Sequence, residues 1–395
     1  MEGLSPVFND KYWNRNKEHH LNKPLNLSMD KTQPPSSRLL SLDVMRGSIM
    51  VLLALESTRL YENLEEVNGG HFYHNLLQQF FHHPWHGLRF WDLVQPAFMF
   101  IAGTAMAFSL EKQRQQGIGW NDSLKKTLRR SFWLFFWGVL NYAVKADGSL
   151  SFELWNVLTQ LSFTTVLAFL FFRWSCPMQA LACVVLLLLT EILYRFTHVP
   201  GFDQPFTDQQ NFGNFMDLLL MNKINKDGWV AINCLPTAVH TIAGSMAGKY
   251  LVHHKDRISP LFIWAAITMA SGYLLDIAGI TPIIKRIATS SFTLVTLGYC
   301  LLALSLIYWW VDIKQHKNYL RFFTIIGMNS IFIYLFFEIV GARWFNEYVG
   351  SFSSGMLSFV NIQGTAAHII TSLIIFALEW LMCFWLYRKN IFFKL

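Results

Sequence analysis

The stretch "QFFHHPWHGLRFWDLVQPAFMFIAG", Gln79–Gly103, changes character midway. Its second half is an apolar run suited to a lipid bilayer, whereas in the first half His82, His83 and His86 surround Trp85, and Asp92 stands where the apolar run begins. Uninterrupted apolar runs of about 18 to 25 residues are candidate membrane helices, and they recur along the whole chain after Ser41. Of 395 residues, 53% are hydrophobic and 14% charged, against roughly a quarter charged in a soluble domain. Lipid leaves backbone amides no outside partner, so only helices or closed barrels cross it. These runs are too long and continuous for barrel strands. The sequence therefore predicts an all-α, polytopic membrane protein.

Ten spans are expected, near 42–60, 90–110, 128–146, 154–172, 178–196, 229–251, 259–279, 290–311, 320–341 and 366–387. They form one transmembrane domain, 38–395, preceded by a polar, basic tail at 1–37 with no apolar core of the kind a signal peptide needs. With the tail placed inside, the inner segments hold 22 Lys and Arg and the outer ones nine. That bias predicts both termini in the cytoplasm and the histidine cluster facing outward. The net charge of +7 then reflects sidedness and gives no reason to expect a nucleic-acid partner. Five scattered cysteines, none in a Cys-x-x-Cys pair, indicate neither a disulfide framework nor a thiolate metal site.

Several polar groups interrupt this apolar background. In "SLDVMRG" (Ser41–Gly47), Asp43 and Arg46 share one helix face at the inner mouth of the first span. They form either a neutralising ion pair or, with Lys125, Lys126, Arg129 and Arg130 of the next inner loop, a contact for a cytosolic polyphosphate such as coenzyme A. The histidines admit three readings: an interfacial aromatic belt, a metal site, or acid–base work, for which an imidazole titrating near pH 6.5 is suited. "HHPWH" superficially resembles the histidine boxes of di-iron desaturases, but those need several boxes and no second one accompanies it, so no metal is expected. Asp92, Asn329 and Glu338 are ionisable or polar groups inside apolar runs, where such residues either join helices or serve function. Lys285 opens the eighth span from outside, beside Thr289 and Ser291.

Taken in order, "RLLSLDVMRG" (38–47), "HHPWHGLRFWDLVQPAFMFIAG" (82–103), "VLTQLS" (157–162), "MAGKYL" (246–251), "TPIIKRIATSSF" (281–292), "YWWVDIK" (308–314) and "IGMNSIFIY" (326–334) resemble the heparan-α-glucosaminide N-acetyltransferase family of transmembrane acyltransferases. The resemblance covers nearly everything after residue 37 and implies transfer of the acetyl group of cytosolic acetyl-CoA, a co-substrate, to the amine of glucosamine on the far side of the membrane. It implies His82 as the active histidine, with His83 as the fallback, and suggests a homodimer. Two positions depart from the family: Ser57, next to Glu56, stands where the family has Asn, and Gln160 where it often has Arg. Together with the expected lack of a large luminal N-terminal domain, they point to a bacterial inner-membrane version that acts toward the periplasm on free glucosamine or a small amino sugar.

A histidine near neutral pKa suits removal of the acceptor's proton, and Asp92 could partner it if the intervening loop allows. Asn329, Ser57 and Lys285 are the candidate oxyanion donors. His83, Trp85, Ser57, Glu56, Lys285 and Glu338 are the candidate acceptor contacts; Asp43, Arg46, Lys125 and Arg129 are those for the donor. Two rival functions stay open on the same residues: an amino-sugar transporter and an O-acyltransferase.

Overall fold

The glycines of two central helices decide how the bundle closes. In a computed structural model describing residues 39–67, 69–143 and 150–393, helix α4 (Val94–Gln115) crosses α9 (Cys234–His253). A Cβ on Gly103 would strike the carbonyl of Thr241, and one on Gly244 would strike that of Phe100. Lipid offers no hydrophobic drive between helices, so small residues that let backbones touch supply the contact. Around this crossing, α6 (Val157–Phe171), α7 (Cys176–Phe196) and α11 (Ser290–Tyr308) complete one apolar core, with Phe100, Ile101, Phe169 and Ile242 almost fully enclosed.

A second core packs α1 (Leu40–Ser57) against α12 (Arg321–Met328), α13 (Ser330–Leu335) and α15 (Thr365–Arg388). The chain bends by 72° between Met328 and Ser330, so the expected span 320–341 is a broken helix. A ten-residue π-helical stretch, Phe336–Phe345, follows and carries Glu338. π-Helical insertions of this kind are frequent at functional sites.

Among the described residues the fold is helical, with no strand. Five helices among the described residues are long and apolar enough to cross a membrane: Phe90–Gln115, Cys176–Phe196, Ser259–Ile277 (α10), Ser290–Ile313 and Thr365–Arg388; the bent pair Arg321–Met328 and Ser330–Phe359 passes the same test when its two parts are taken together as one span. The other expected spans also fall on helices, but length and composition do not single them out as spans. Helix α1 carries Asp43, Arg46 and Glu56 within 18 residues, α5 (Trp120–Ala143) has a charged first half, and α6 is only 15 residues long. Large apolar side chains stand exposed along α7, α10 and α15, among them Leu188, Trp264 and Trp385, as lipid-facing surfaces do. The two long connections are structured: 61–89 contains α2 (Leu60–Glu65) and α3 (Gly70–Leu77), and 197–228 contains α8 (Phe212–Met221). The tail at 1–37 lies outside the described residues.

Candidate active site

Asp92 organises the histidine loop. It is the third residue of a short 3-10 turn, Phe90–Leu93, that opens α4, and from there its carboxylate turns back on the preceding chain. Oδ2 accepts the backbone N–H of Arg89 at 2.9 Å and of His83 at 3.3 Å, while Arg89 Nη1 donates to the carbonyl of His82 at 3.0 Å. Oδ1 is then left 3.1 Å from His82 Nδ1.

Lys285 arrives from a segment far along the chain. Gly87 N–H donates to the carbonyl of Ile283 at 2.9 Å, and His86 and Ile284 form an isolated antiparallel bridge. Asp276, at the end of α10, accepts from Ile283 N–H at 2.9 Å and meets His86 Nε2 at 2.7 Å. Arg286 donates to the carbonyl of Pro84. Zipped in this way, the lysine segment delivers Lys285 Nζ to 3.4 Å from Asp92 Oδ1 and 3.0 Å from His82 Nδ1. The Thr289 and Ser291 hydroxyls turn away from His82 and donate to the carbonyl of Pro282 at 2.7 and 2.8 Å, which holds the segment's shape.

Burial sets the charges. Asp92 is fully enclosed and Lys285 nearly so, whereas the His82 side chain keeps 39% of its surface. Desolvation pushes His82 below the usual imidazole value, Lys285 adds to that, and Asp92 opposes it. Desolvation also pulls Lys285 down to about 8, again against the attraction of Asp92. Asp92 Oδ1 and Lys285 Nζ both meet His82 Nδ1, and it is the tautomer with its proton on Nδ1 that donates to Asp92 and leaves Nε2 as the acceptor. Its Nε2 takes no partner among the described residues.

His82 and Lys285 form part of the wall of a cavity of about 280 Å³. One side is built by Glu56 of α1, Trp91, Gln95 and Phe98 at the start of α4, Tyr142 of α5, and Tyr334 and Glu338. The other is built by Glu153, Trp155, Asn156, Asn225 and Trp229. Glu338 accepts from Asn141 Nδ2 and Tyr142 Oη, each at 3.3 Å. The ring of Trp229 stands edge-on to His82 with centroids 5.7 Å apart and has Lys285 Nζ over its face at 5.3 Å.

The structure thus brings His82, Asp92, Lys285, Glu56 and Glu338 together and leaves other candidates elsewhere. Asn329 is fully buried, but it donates to the carbonyl of Ile391 at 3.3 Å and accepts from Phe393 N–H at 3.1 Å. It fastens the C-terminal segment and does not line the cavity, so the oxyanion role expected for it has no geometric support. Ser57 Oγ donates to the carbonyl of Ala54 at 2.8 Å, and Trp85 Nε1 to that of Phe206 at 2.8 Å; neither residue lines the cavity. The His83 ring packs against Gly87, with its Nδ1 buried and unpartnered, and lies outside the cavity wall.

Asp43 and Arg46 pair at 3.3 Å toward the start of α1, whereas Glu56 of the cavity wall lies near its end. Lys125 and Arg129 are exposed on α5. Among the described residues no group of three or more His, Cys, Asp or Glu side chains is placed to hold a metal ion. Sequence reasoning passed over Tyr142, Trp155 and Trp229: in a chain with 15 Trp and 13 Tyr, aromatic character alone does not mark a cavity wall.

Comparison with known proteins gives the family. The family described as heparan-alpha-glucosaminide N-acetyltransferase, catalytic, matches residues 38–275, which include His82 and Asp92. The heparan-alpha-glucosaminide N-acetyltransferase of Mus musculus is 25% identical over 427 positions, covering 91% of this chain and 61% of that protein. The Homo sapiens protein of the same name is 25% identical over 429 positions, covering 92% and 60%. The chain therefore spans about three-fifths of the length of these relatives. With more than half of its residues matched, the chain belongs to the heparan-alpha-glucosaminide N-acetyltransferase catalytic family.

Proposed function

We propose that this protein is a transmembrane N-acetyltransferase that moves the acetyl group of cytosolic acetyl-CoA to the amine of glucosamine or a related amino sugar on the opposite, periplasmic or luminal, face. The observation that carries the reading is that His82 and Lys285, joined behind the wall by Asp92, line one cavity that also contains Glu56 and Glu338. A hydroxyl acceptor would give two carboxylates nothing to neutralise, whereas a protonated amine does. That contrast favours N-acylation over O-acylation.

In this reading the acceptor ammonium docks between Glu56 and Glu338 and loses a proton to His82 Nε2. Its nitrogen attacks the thioester carbonyl and becomes cationic, the C–S bond breaks, and the second proton shed by that nitrogen goes to the departing thiolate, which leaves a neutral amide. Asp92 holds the His82 tautomer and stabilises the imidazolium that forms, while Lys285 offers an N–H to the developing oxyanion. The bias of Lys and Arg supports ten spans with both termini in the cytosol. Asp43, Arg46, Lys125 and Arg129 would then face the side from which the coenzyme's phosphates arrive, and a bacterial inner membrane and a homodimer are part of the same proposal.

The test is acetyl transfer in sealed vesicles of both orientations, with labelled acetyl-CoA on one side and glucosamine on the other. N-acetyl product is expected only when donor faces the cytosolic side and acceptor the other. Movement of unmodified glucosamine with no product would replace the reading with transport.

A further inference from the structure

One wall of the cavity is a strap, 150–156, clamped onto α8 and the turn after it. Lys223 Nζ, just beyond α8, bonds Glu153 Oε1 at 2.9 Å and Ser151 Oγ at 2.5 Å. Trp155 Nε1 donates to Asp217 Oδ2 at 2.9 Å, and Asp217 Oδ1 accepts from Ala231 N–H at 2.9 Å. Asp217 is fully enclosed. It joins the strap to the segment that carries Trp229, the second indole of the wall. Lys223 Nζ lies over the Trp155 ring at 5.4 Å, so one face of that indole is covered and its polar edge is fixed. The remainder of the ring lines the cavity.

The enclosed Asp217 carboxylate accepts two hydrogen bonds, one on each oxygen, and so fixes the direction of both donors. Here the donors are an indole of the cavity wall and the backbone two residues past the other indole. The pyranose ring of a sugar presents axial C–H groups on one face, and these pack against a flat aromatic surface, which binds by area and dispersion while leaving the hydroxyls free for polar partners. Asn225 stands in the same wall, its Oδ1 accepting from Asp227 N–H at 2.8 Å, while both ends of the Asn156 amide are engaged by Gly138 and Thr159. An acyclic amine offers no such face.

We infer that Trp155 and Trp229 form a platform for the sugar ring of the acceptor, with Asp217 as the positioning residue that fixes Trp155. The inference deepens the proposed function and rests on it: the carboxylates select the amine, and the indoles select the ring that bears it.

The experiment compares glucosamine with 2-amino-1,3-propanediol, an acyclic amino alcohol, as acceptors for the full-length protein in detergent. Trp155→Ala should raise KM for glucosamine by about tenfold, with kcat changed much less, and should lower the preference for glucosamine over the acyclic amine by a similar factor. Trp155→Phe should restore most of that preference, and Asp217→Asn should lose part of it. Equal losses for both acceptors in Trp155→Ala, or no rescue by Trp155→Phe, would overturn the platform. Calorimetric binding of glucosamine and of the acyclic amine to the same variants reads the platform without turnover. A wild-type protein that binds glucosamine selectively but makes no product would sink the transferase reading and leave the platform standing. Absence of selective binding would sink the platform.

Discussion

Asp92 Oδ1 lies 3.1 Å from His82 Nδ1, ten residues back along the chain, and the same carboxylate holds the backbone of the loop between them through Arg89. One side chain therefore does two tasks, shaping the loop and orienting the ring. Removing the ring leaves the loop's backbone bonds in place. His82→Ala is expected to lower kcat by about 10²–10⁴-fold, the usual worth of a positioned acid–base group, with thermal stability little changed. Acetyl transfer measured on the purified variant checks this, and turnover near the wild-type rate would remove His82 from the chemistry. Asp92→Asn should lose both activity and stability, because an amide cannot accept at both positions where the carboxylate does.

The pH profile follows from the same triad. A base must be neutral to act, and burial keeps His82 below the usual imidazole value, so kcat/KM should rise through a limb below about 6.5. Lys285 must be charged to serve an oxyanion, and its value near 8 places the falling limb in mildly alkaline solution. Lys285→Arg, which stays charged, should move the falling limb upward even where it lowers the maximum rate. A falling limb left at the same pH in that variant would assign it to another group.

Much of this site was legible in the sequence. His82, Asp92, Lys285, Glu56 and Glu338 stood out because polar groups bordering or within apolar runs are costly and rarely idle. Their meeting was not legible: Lys285 reaches His82 across 203 positions, through a loop pairing that no periodicity encodes. Asn329 lies apart from the cavity for a reason sequence does not show. A buried amide in a span looks the same in sequence whether it faces a substrate or, as here, the backbone of Ile391 and Phe393. The helices were legible at nearly every expected position, whereas the break at Asn329 and the π-helical stretch after it depend on packing.

Gln160 sits at the centre of a chain of buried amides. Gln95 Nε2 donates to Gln160 Oε1, Gln160 Nε2 to Asn233 Oδ1 at 2.6 Å, and Asn233 Nδ2 to the carbonyl of Arg286 at 3.1 Å. This chain of amides links the cavity wall at Gln95 to the segment bearing Lys285. Gln160→Leu would strand buried donors and acceptors on both sides, at about 1–3 kcal/mol for each unmatched group. A lower unfolding midpoint and a slower kcat are expected together. Unchanged stability would mean that the amides re-pair without it.

Glu379 offers the opposite case. It is fully enclosed on α15, and neither carboxylate oxygen has a hydrogen-bond partner; no salt bridge reaches it among the described residues. An ionised carboxylate held there would cost several kcal/mol. A neutral amide of the same shape avoids that cost. Glu379→Gln should therefore fold at least as stably as the wild type and retain acetyl transfer, since Glu379 does not line the cavity. Thermal unfolding of the two proteins in the same detergent decides the matter. A midpoint several degrees lower in the variant would mean that the carboxylate has an essential partner that this arrangement does not supply.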